Sequence, residues 1–236
     1  MFEVVYGLDK LTEKNLADFY PLLSPQRREK VDQLKFLPDK LSSACAFLLL
    51  RLLSFEHESC DKCEFLFDEH GKPYPSHGYF RFSLAHTRKG VCVCMNNRFD
   101  VGADVEEKVK YDEALARRIL SPRELEYLAK AEDKEDYLTC QWILKESYGK
   151  KTGEGVFEIL QQTDYAQMGH KAIMCYAKNF YEINEIDGLY YGYCAPRPER
   201  VAVTPVEDFL ERLKQLPPYE EARDYRAEYA EDDDDD

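Results

Sequence analysis

The sequence predicts an α+β protein with two comparable lobes and a cleft between them. Helical periodicity in the early part of the chain gives way to short alternating strands, and the same order then recurs in the second half. The 236 residues are enough to bury a substantial core, in one large domain or two small ones. We divide the chain into a first lobe (1–100), a second lobe (101–204), a C-terminal helix (205–219) and a tail (220–236).

The formal net charge of −14 is concentrated at the C-terminal end, where ten acids and two arginines follow from Glu220 onward. Such a run predicts a solvated, disordered tail. The rest of the chain is also acidic and has no basic stripe, which argues against nucleic-acid binding. No apolar run approaches the ~20 residues that a transmembrane helix needs. The first residues lack the basic and then apolar regions of a signal peptide. We therefore expect a cytoplasmic, monomeric protein that binds neither nucleic acid nor membrane.

Eight cysteines predict a disulfide framework only in an exported chain, and the sequence contains no export signal. Four residues could in principle hold zinc: His57, Cys60, Cys63 and His70. A second cysteine pair does not follow them and their flanks are irregular, so we favour ordinary thiols in a loop.

The first half predicts one strand, three helices and three further strands. The second helix has Ser24 as its N-cap and Pro25 at its first position, and Pro38 interrupts the chain before the apolar third helix. Gly71 and the following Lys-Pro predict a turn over Glu69–Tyr74. The predicted elements are Phe2–Tyr6, Leu11–Leu23, Pro25–Phe36, Leu41–Phe55, Cys63–Asp68, Phe80–Leu84 and Gly90–Met95.

The second half repeats this order. Ser121, Pro122 and Glu124 form a capping box, so Glu124 has a structural reason to be present. The glycines of residues 149–155 follow a helix and do not precede one, so this stretch predicts a helix end and not a phosphate-binding Walker loop. The predicted elements are a strand at 101–106, helices at 112–120, 121–131 and 135–151, strands at 171–176, 180–183, 188–195 and 200–204, and a helix at 205–216.

Three carboxylates stand out. Asp104 and Glu106 alternate with apolar residues, so both side chains point to the same face of the predicted strand. Glu146 lies on the long helix, between Lys145 and Lys150. Three carboxylates converging from a strand and a helix would suit a hard cation such as Mg²⁺, which favours phosphate-bearing substrates.

These segments resemble the 4'-phosphopantetheinyl transferases, in particular the larger, two-lobed single-chain class typified by the surfactin-synthetase-activating enzyme. The resemblance covers residues 1 to about 204. It implies two similar lobes related by pseudo-twofold symmetry, each a small, mostly antiparallel sheet packed with helices. The matching motifs are Gly102-Ala103-Asp104-Val105-Glu106, Trp142-x-x-Lys145-Glu146-Ser147-x-x-Lys150, Lys72-Pro73 and Phe82-Ser83-Leu84-Ala85-His86-Thr87.

The resemblance also implies a reaction and its participants. The phosphopantetheine arm of coenzyme A would move to a serine of an apo acyl or peptidyl carrier protein, with release of adenosine 3',5'-bisphosphate and with Mg²⁺ as cofactor. By the resemblance, the metal ligands are Asp104, Glu106 and Glu146; the unranked candidates for the proton acceptor are Glu146, Lys145 and Glu124; and the coenzyme A contacts are Arg27, Lys30, Lys72, Pro73, His86 (at the 3'-phosphate) and Lys150.

Three positions depart from the family pattern. Ala85 stands where the family has serine, Ala103 replaces isoleucine or valine, and near Ser42 the family often has an arginine that helps to hold the 3'-phosphate. These differences predict weaker or altered coenzyme A contacts. The metal and transfer residues are all present, so we expect an active enzyme.

Two further functions would use the same residues. A non-catalytic homologue could bind coenzyme A or a carrier protein without transfer, and a Mg²⁺-dependent phosphodiesterase could use the same three carboxylates. The simplest interpretation makes the charged residues of the strand and helix a solvated surface. We favour the transferase because several separate segments match one family in order and in approximate spacing.

Overall fold

A computed structural model describes residues 1–58, 60, 62, 64–69, 71–76, 80–154, 159–160, 163–168 and 173–222. The fold is α+β, as the sequence predicts. The strands are β1 Phe2–Tyr6, β2 Phe65–Phe67, β3 Pro73–Pro75, β4 Arg81–His86, β5 Gly90–Asn96, β6 Gly102–Glu107, β7 Met174–Tyr176, β8 Asn179–Ile186, β9 Leu189–Ala195 and β10 Val201–Pro205. The α-helices are α1 Glu13–Phe19, α2 Pro25–Gln33, α3 Leu37–Glu58, α4 Glu113–Ile119, α5 Pro122–Leu128, α6 Lys134–Thr152 and α7 Val206–Leu213.

The first sheet has the strand order β10-β1-β5-β4. Strand β1 pairs antiparallel with β5 and parallel with β10, so the C-terminal part of the chain returns to the N-terminal strand. Helix α3 packs against this sheet, and its apolar residues from Leu41 to Leu53 are buried. The core between them also takes in Phe209 and Leu213 from α7.

The second sheet is antiparallel, in the order β6-β9-β8-β7. Helix α6 packs on β6 and β9. Gly192 of β9 allows this close packing, because an added Cβ would lie 2.8 Å from Cγ2 of Ile143 on the helix.

The two sheets share one apolar cluster, which Phe2, Val4 and Ala85 enter from the first sheet and Ala103 and Tyr193 from the second. A polar contact joins them as well, since the backbone N–H of Ala103 donates to Ser83 Oγ at 3.0 Å. The ends of β4 and β6 are therefore fixed relative to each other, and both carry residues that the sequence assigns to the site.

Several boundaries differ from the sequence expectation. Pro38 lies in the first turn of α3, where its missing N–H costs no helical hydrogen bond, so the helix begins at Leu37 and not at Leu41. The predicted turn over 69–74 ends in strand β3, which pairs with β2. Strand β10 falls within the range assigned to the second lobe, yet it lies in the first sheet.

Other expectations concern residues with partial coverage. Cys60 is buried and its Sγ donates to the carbonyl oxygen of Lys62 at 3.4 Å, whereas Cys63 and His70 lie outside the described residues. The acidic tail is described only as far as Ala222. Of the helices in the described ranges, none combines the length and apolar character that crossing a bilayer requires.

Candidate active site

Strand β6 lies unusually close to helix α6, and Gly102 is the residue that permits it. A Cβ atom at this position would lie 1.8 Å from the carbonyl oxygen of Ser147 and 2.7 Å from the amide nitrogen of Lys151. Any side chain would therefore push the strand away from the helix. The close approach brings the carboxylates of β6 beside the charged face of α6.

Asp104 is the buried centre of this contact, with 3% of its surface exposed. Its Oδ1 accepts a hydrogen bond from Lys150 Nζ at 2.6 Å, while Oδ2 is buried and has no hydrogen-bond partner among the described residues. Glu106 lies two residues further along the same face and accepts from the indole N–H of Trp142 at 3.3 Å. An orphaned buried carboxylate oxygen is a costly arrangement unless a cation binds to it.

The acidic residues influence each other electrostatically. Burial, and then the charge of Asp104, raises the pKa of Glu106 to about 7. The same two causes raise the pKa of Glu146 to about 7, although Lys150 opposes the shift. Burial lowers the pKa of Lys150, but Asp104 and Glu146 outweigh that effect and the net shift is upward.

The three carboxylates nevertheless do not form a closed ligand cage. In the described part of the chain, no three His, Cys, Asp or Glu side chains stand close enough together to hold a metal ion. Asp104 instead forms an ion pair with the ammonium group of Lys150. This ammonium group supplies positive charge that offsets the negative charge of the acidic site.

A cleft of about 310 Å³ opens beside these residues. It lies between the turn before β3, strand β4 and the C-terminal end of α6. Its lining residues are Gly71, Lys72, Pro73, Phe82, Ser83, Leu84, Glu146, Gly149, Lys150, Gly153 and Glu154.

Lys72 closes one side of the cleft and is held in place by three contacts. Its Nζ donates to the carbonyl oxygen of Lys151 at 2.6 Å and lies 3.4 Å from Oδ1 of Asp100. Its backbone N–H donates to Oδ1 of Asp68 at 2.8 Å. Burial lowers the pKa of Lys72, and the charge of Asp100 partly opposes that shift. The neighbouring Gly153, with φ of 81°, ends α6 in the left-handed conformation and brings the chain back toward Lys72.

Arg27 and Lys30 project from one side of helix α2. Arg27 is 8% exposed, lies over the ring of Phe47 at 5.3 Å and donates to Ser43 Oγ at 3.4 Å. Burial lowers the pKa of Arg27 to about 10. The pKa of Lys30 is lowered by burial and by the charge of Arg27. Within the described ranges neither side chain forms an ion pair with a carboxylate, so together they offer positive charge to an anion.

His86, the last residue of β4, completes this basic group. Its Nδ1 lies 3.1 Å from Ser42 Oγ on α3. Burial, and then the charges of Lys30, Arg27 and Lys150, together lower the pKa of His86 to about 4, while Asp39 opposes them. His86 is thus neutral at pH 7 and adjoins both the basic group and the acidic site.

Lys145 and Glu124 lie apart from the cleft. Lys145 Nζ and Glu124 Oε2 are 2.8 Å apart, and both side chains have no exposed surface. Glu124 also accepts from the backbone N–H groups of Ser121 and Tyr165, each at 2.7 Å, and Lys145 Nζ donates to the carbonyl of Thr163 at 3.1 Å. Burial lowers the pKa of Lys145, and Glu124 opposes that shift. This pair is fully satisfied inside the protein.

The structure thus gathers the acidic residues and Lys150 where β6 meets α6, and Arg27, Lys30 and His86 in a basic group beside helix α3. Lys145 and Glu124 lie apart from both. Two serines to which the sequence gives no role, Ser43 and Ser83, also contribute. Ser43 contacts Arg27, and Ser83 joins β4 to β6. A serine in an apolar helix or strand gives no sequence signal for such a role. The spacing of Lys145 and Lys150 does give a sequence signal. Positions five residues apart on an α-helix are rotated by about 140° about its axis, so the two lysines must face different directions.

Comparison with known proteins points to one family. Residues 100–186 match the family model of the 4'-phosphopantetheinyl transferase superfamily. The chain is 26% identical to the 4'-phosphopantetheinyl transferase Sfp of Bacillus subtilis, over 83% of this chain and 93% of that protein. It is 30% identical to the 4'-phosphopantetheinyl transferase psf-1 of Bacillus pumilus, over 63% of this chain and 65% of that protein. It is also 30% identical to the L-aminoadipate-semialdehyde dehydrogenase-phosphopantetheinyl transferase of Saccharomyces cerevisiae, over 66% of this chain and 61% of that protein. The matched segment 100–186 contains β6 and α6, the two elements that supply the acidic site.

Proposed function

The chain belongs to the 4'-phosphopantetheinyl transferase superfamily, and on that premise we propose that it moves the phosphopantetheine arm of coenzyme A to a serine of a carrier protein. The acceptor is an apo acyl or peptidyl carrier protein, and the second product is adenosine 3',5'-bisphosphate. The observation that carries this proposal is the pairing of Asp104 with Lys150 beside Glu106 and Glu146, at the edge of a cleft between β4 and α6.

The basic residues fit the nucleotide portion of coenzyme A. Arg27, Lys30 and His86 bind its 3'-phosphate, because they gather positive charge and hydrogen-bond donors without a carboxylate partner among the described residues. Lys72 and Pro73 line the cleft next to them and contact the rest of the nucleotide. Lys150 contacts a phosphate of the pyrophosphate group once it leaves Asp104.

The acidic residues fit a magnesium ion in their chemistry. Mg²⁺ prefers carboxylate oxygens, and the unpartnered Oδ2 of Asp104 is a buried oxygen of that kind. Asp104, Glu106 and Glu146 would hold the ion. When bound, it would neutralise charge that develops on the pyrophosphate as the bond breaks.

The protein side chains perform the remaining steps. The serine oxygen attacks the phosphorus on the pantetheine side of the pyrophosphate, and the bond to the departing bisphosphate breaks. The serine proton passes to a carboxylate. Of the three candidates for the proton acceptor, Glu146 lines the cleft, whereas Lys145 and Glu124 have no exposed surface. We therefore assign the acceptor role to Glu146 and a structural role to the buried pair.

We further propose that residues 1–100 and 101–204 form two similar lobes related by pseudo-twofold symmetry, with β10 exchanged into the first sheet. Each lobe then contributes one four-stranded sheet and one long helix, α3 or α6. We also propose that the enzyme acts as a cytoplasmic monomer.

An assay with coenzyme A, Mg²⁺ and a panel of apo carrier proteins tests this function directly, with intact mass as the readout. The expected result is a gain of the phosphopantetheine mass on at least one carrier. Binding of coenzyme A without any mass gain would support a non-catalytic homologue. Breakdown of coenzyme A in the absence of a carrier would support a phosphodiesterase.

A further inference from the structure

Ser42 is a buried residue in the N-terminal part of α3, with 2% of its surface exposed. Its hydroxyl oxygen lies 3.1 Å from Nδ1 of His86 and 3.2 Å from the carbonyl oxygen of Asp39. A hydroxyl group has one proton to donate and can accept at the same time. It can therefore donate to the Asp39 carbonyl while it accepts from Nδ1–H of His86, or turn to donate to an unprotonated Nδ1.

Both arrangements have the same consequence for the ring. Nδ1 of His86 is satisfied by Ser42, whichever atom carries the proton, and Nε2 has no hydrogen-bond partner among the described residues. The hydrogen bond at Nδ1 therefore orients the imidazole ring before a ligand binds, and Nε2 remains available to that ligand.

The surroundings of His86 show which kind of ligand would meet Nε2. Burial lowers the pKa of the ring most; Lys30 and Arg27 of α2 and Lys150 of α6 also lower it, and Asp39 of α3 is the acid that opposes them. Around the ring, the three cations on α2 and α6 thus outnumber the single acid on α3. An anionic group such as a phosphate would be attracted to this position.

We propose that Ser42 is a positioning residue for nucleotide binding: it holds His86 through Nδ1 so that Nε2 faces the phosphate group bound by Arg27 and Lys30. This inference rests on the proposed function, since it assumes that the basic residues bind coenzyme A. Ser42 carries no charge of its own and acts through the histidine.

The test compares Ser42→Ala with Ser42→Thr in binding of adenosine 3',5'-bisphosphate, measured by titration calorimetry. We expect Ser42→Ala to weaken binding about five- to tenfold, the size expected for one lost hydrogen bond. Ser42→Thr keeps the hydroxyl group and should bind within about twofold of the wild type. In the transfer reaction, KM for coenzyme A should rise in Ser42→Ala while kcat stays unchanged.

A second measurement separates positioning from general stability. NMR titration of His86 should show a shifted pKa in Ser42→Ala that Ser42→Thr restores. Ser54→Ala is the matched control, because Ser54 is a fully buried serine of the same helix whose Oγ has no hydrogen-bond partner among the described residues. It should change neither the affinity nor the titration of His86.

The histidine itself supplies the decisive comparison. In a His86→Ala background, Ser42→Ala should have no further effect on affinity. An equal loss in that background, or wild-type affinity and an unchanged His86 titration in Ser42→Ala, would overturn the inference and leave the proposed function intact. A wild-type chain that binds neither adenosine 3',5'-bisphosphate nor coenzyme A would overturn both.

Discussion

At the residue scale, burial separates the two lysines of helix α6. Lys150 lies at the cleft, paired with Asp104, whereas Lys145 has no exposed surface and is paired with Glu124. A buried charge without its partner is far more costly than a buried pair. The two lysines should therefore respond in different ways to substitution.

We expect Lys145→Met to lower the free energy of unfolding by about 3–5 kcal/mol, because Glu124 would remain buried without its cation. The double variant Lys145→Met/Glu124→Gln should recover much of that loss. Urea unfolding of both variants and of Glu124→Gln gives the coupling energy. A variant Lys145→Met with wild-type stability but no transfer activity would instead place Lys145 in the chemistry.

The lowered pKa of His86 predicts how the stability of the protein depends on pH. Its pKa is lowered to about 4 in the folded chain, below the ordinary value of 6.5. Between these values the unfolded chain binds the additional proton, so the contribution of this residue to stability is present above pH 6.5 and is lost as the pH falls toward 4. The free energy of unfolding should therefore fall more steeply in the wild type than in His86→Asn over this range. Parallel curves for the two proteins, measured by urea unfolding at several pH values, would contradict the lowered pKa.

At the element scale, the contact between β6 and α6 determines whether the site can form. Gly102→Ala should destabilise the protein by about 3 kcal/mol or more, since the new methyl group would overlap the backbone of α6. Gly188→Ala is the control, because alanine meets only an unfavourable backbone conformation there (φ of 75°), with no atom within 4 Å of the added Cβ. It should cost about 1–2 kcal/mol. Equal melting temperatures for the two variants would show that β6 does not depend on its close approach to α6.

The elements also show how far the sequence could predict this structure. Alternation placed Asp104 and Glu106 on one face of β6, and the capping box at Ser121 marked the start of α5; the structure has both. These features depend on neighbouring residues and so can be read locally. The parallel pairing of β10 with β1 joins residues about 200 positions apart, and no local pattern specifies such a partner. The contact of Ser42 with His86 likewise depends on how α3 packs on the first sheet.

At the scale of the whole molecule, the C-terminal segment completes the first sheet. Strand β10 covers the edge of β1, and α7 buries Phe209 and Leu213 in the core of that sheet. A chain that ends at Arg200 would expose the edge of β1 and a large apolar surface.

We expect the chain that ends at Arg200 to lose cooperative thermal unfolding and to aggregate. A chain that ends at Ala222 should melt within a few degrees of the full chain, because it keeps β10, α7 and the contact of Arg51 with the carbonyl of Pro217 at 2.8 Å. Differential scanning calorimetry of the full chain and of the two shortened chains tests this prediction. A stable, cooperative 1–200 chain would show that the first sheet is complete without β10.

At this scale we propose that Asp104, Glu106 and Glu146 would together hold a divalent cation where β6 meets α6. Asp104→Ala removes the buried carboxylate at the centre of this site. Glu107→Ala is the matched control, because Glu107 is the next residue of β6, points to the opposite face and pairs with Lys89 at 3.0 Å.

Titration calorimetry of Mg²⁺ with coenzyme A present, on the wild type and both variants, tests the claim most directly. We predict one Mg²⁺ site in the wild type, an affinity unchanged in Glu107→Ala and at least about tenfold weaker in Asp104→Ala, with loss of transfer in that variant alone. A folded Asp104→Ala that binds Mg²⁺ and transfers phosphopantetheine as the wild type does would contradict the account.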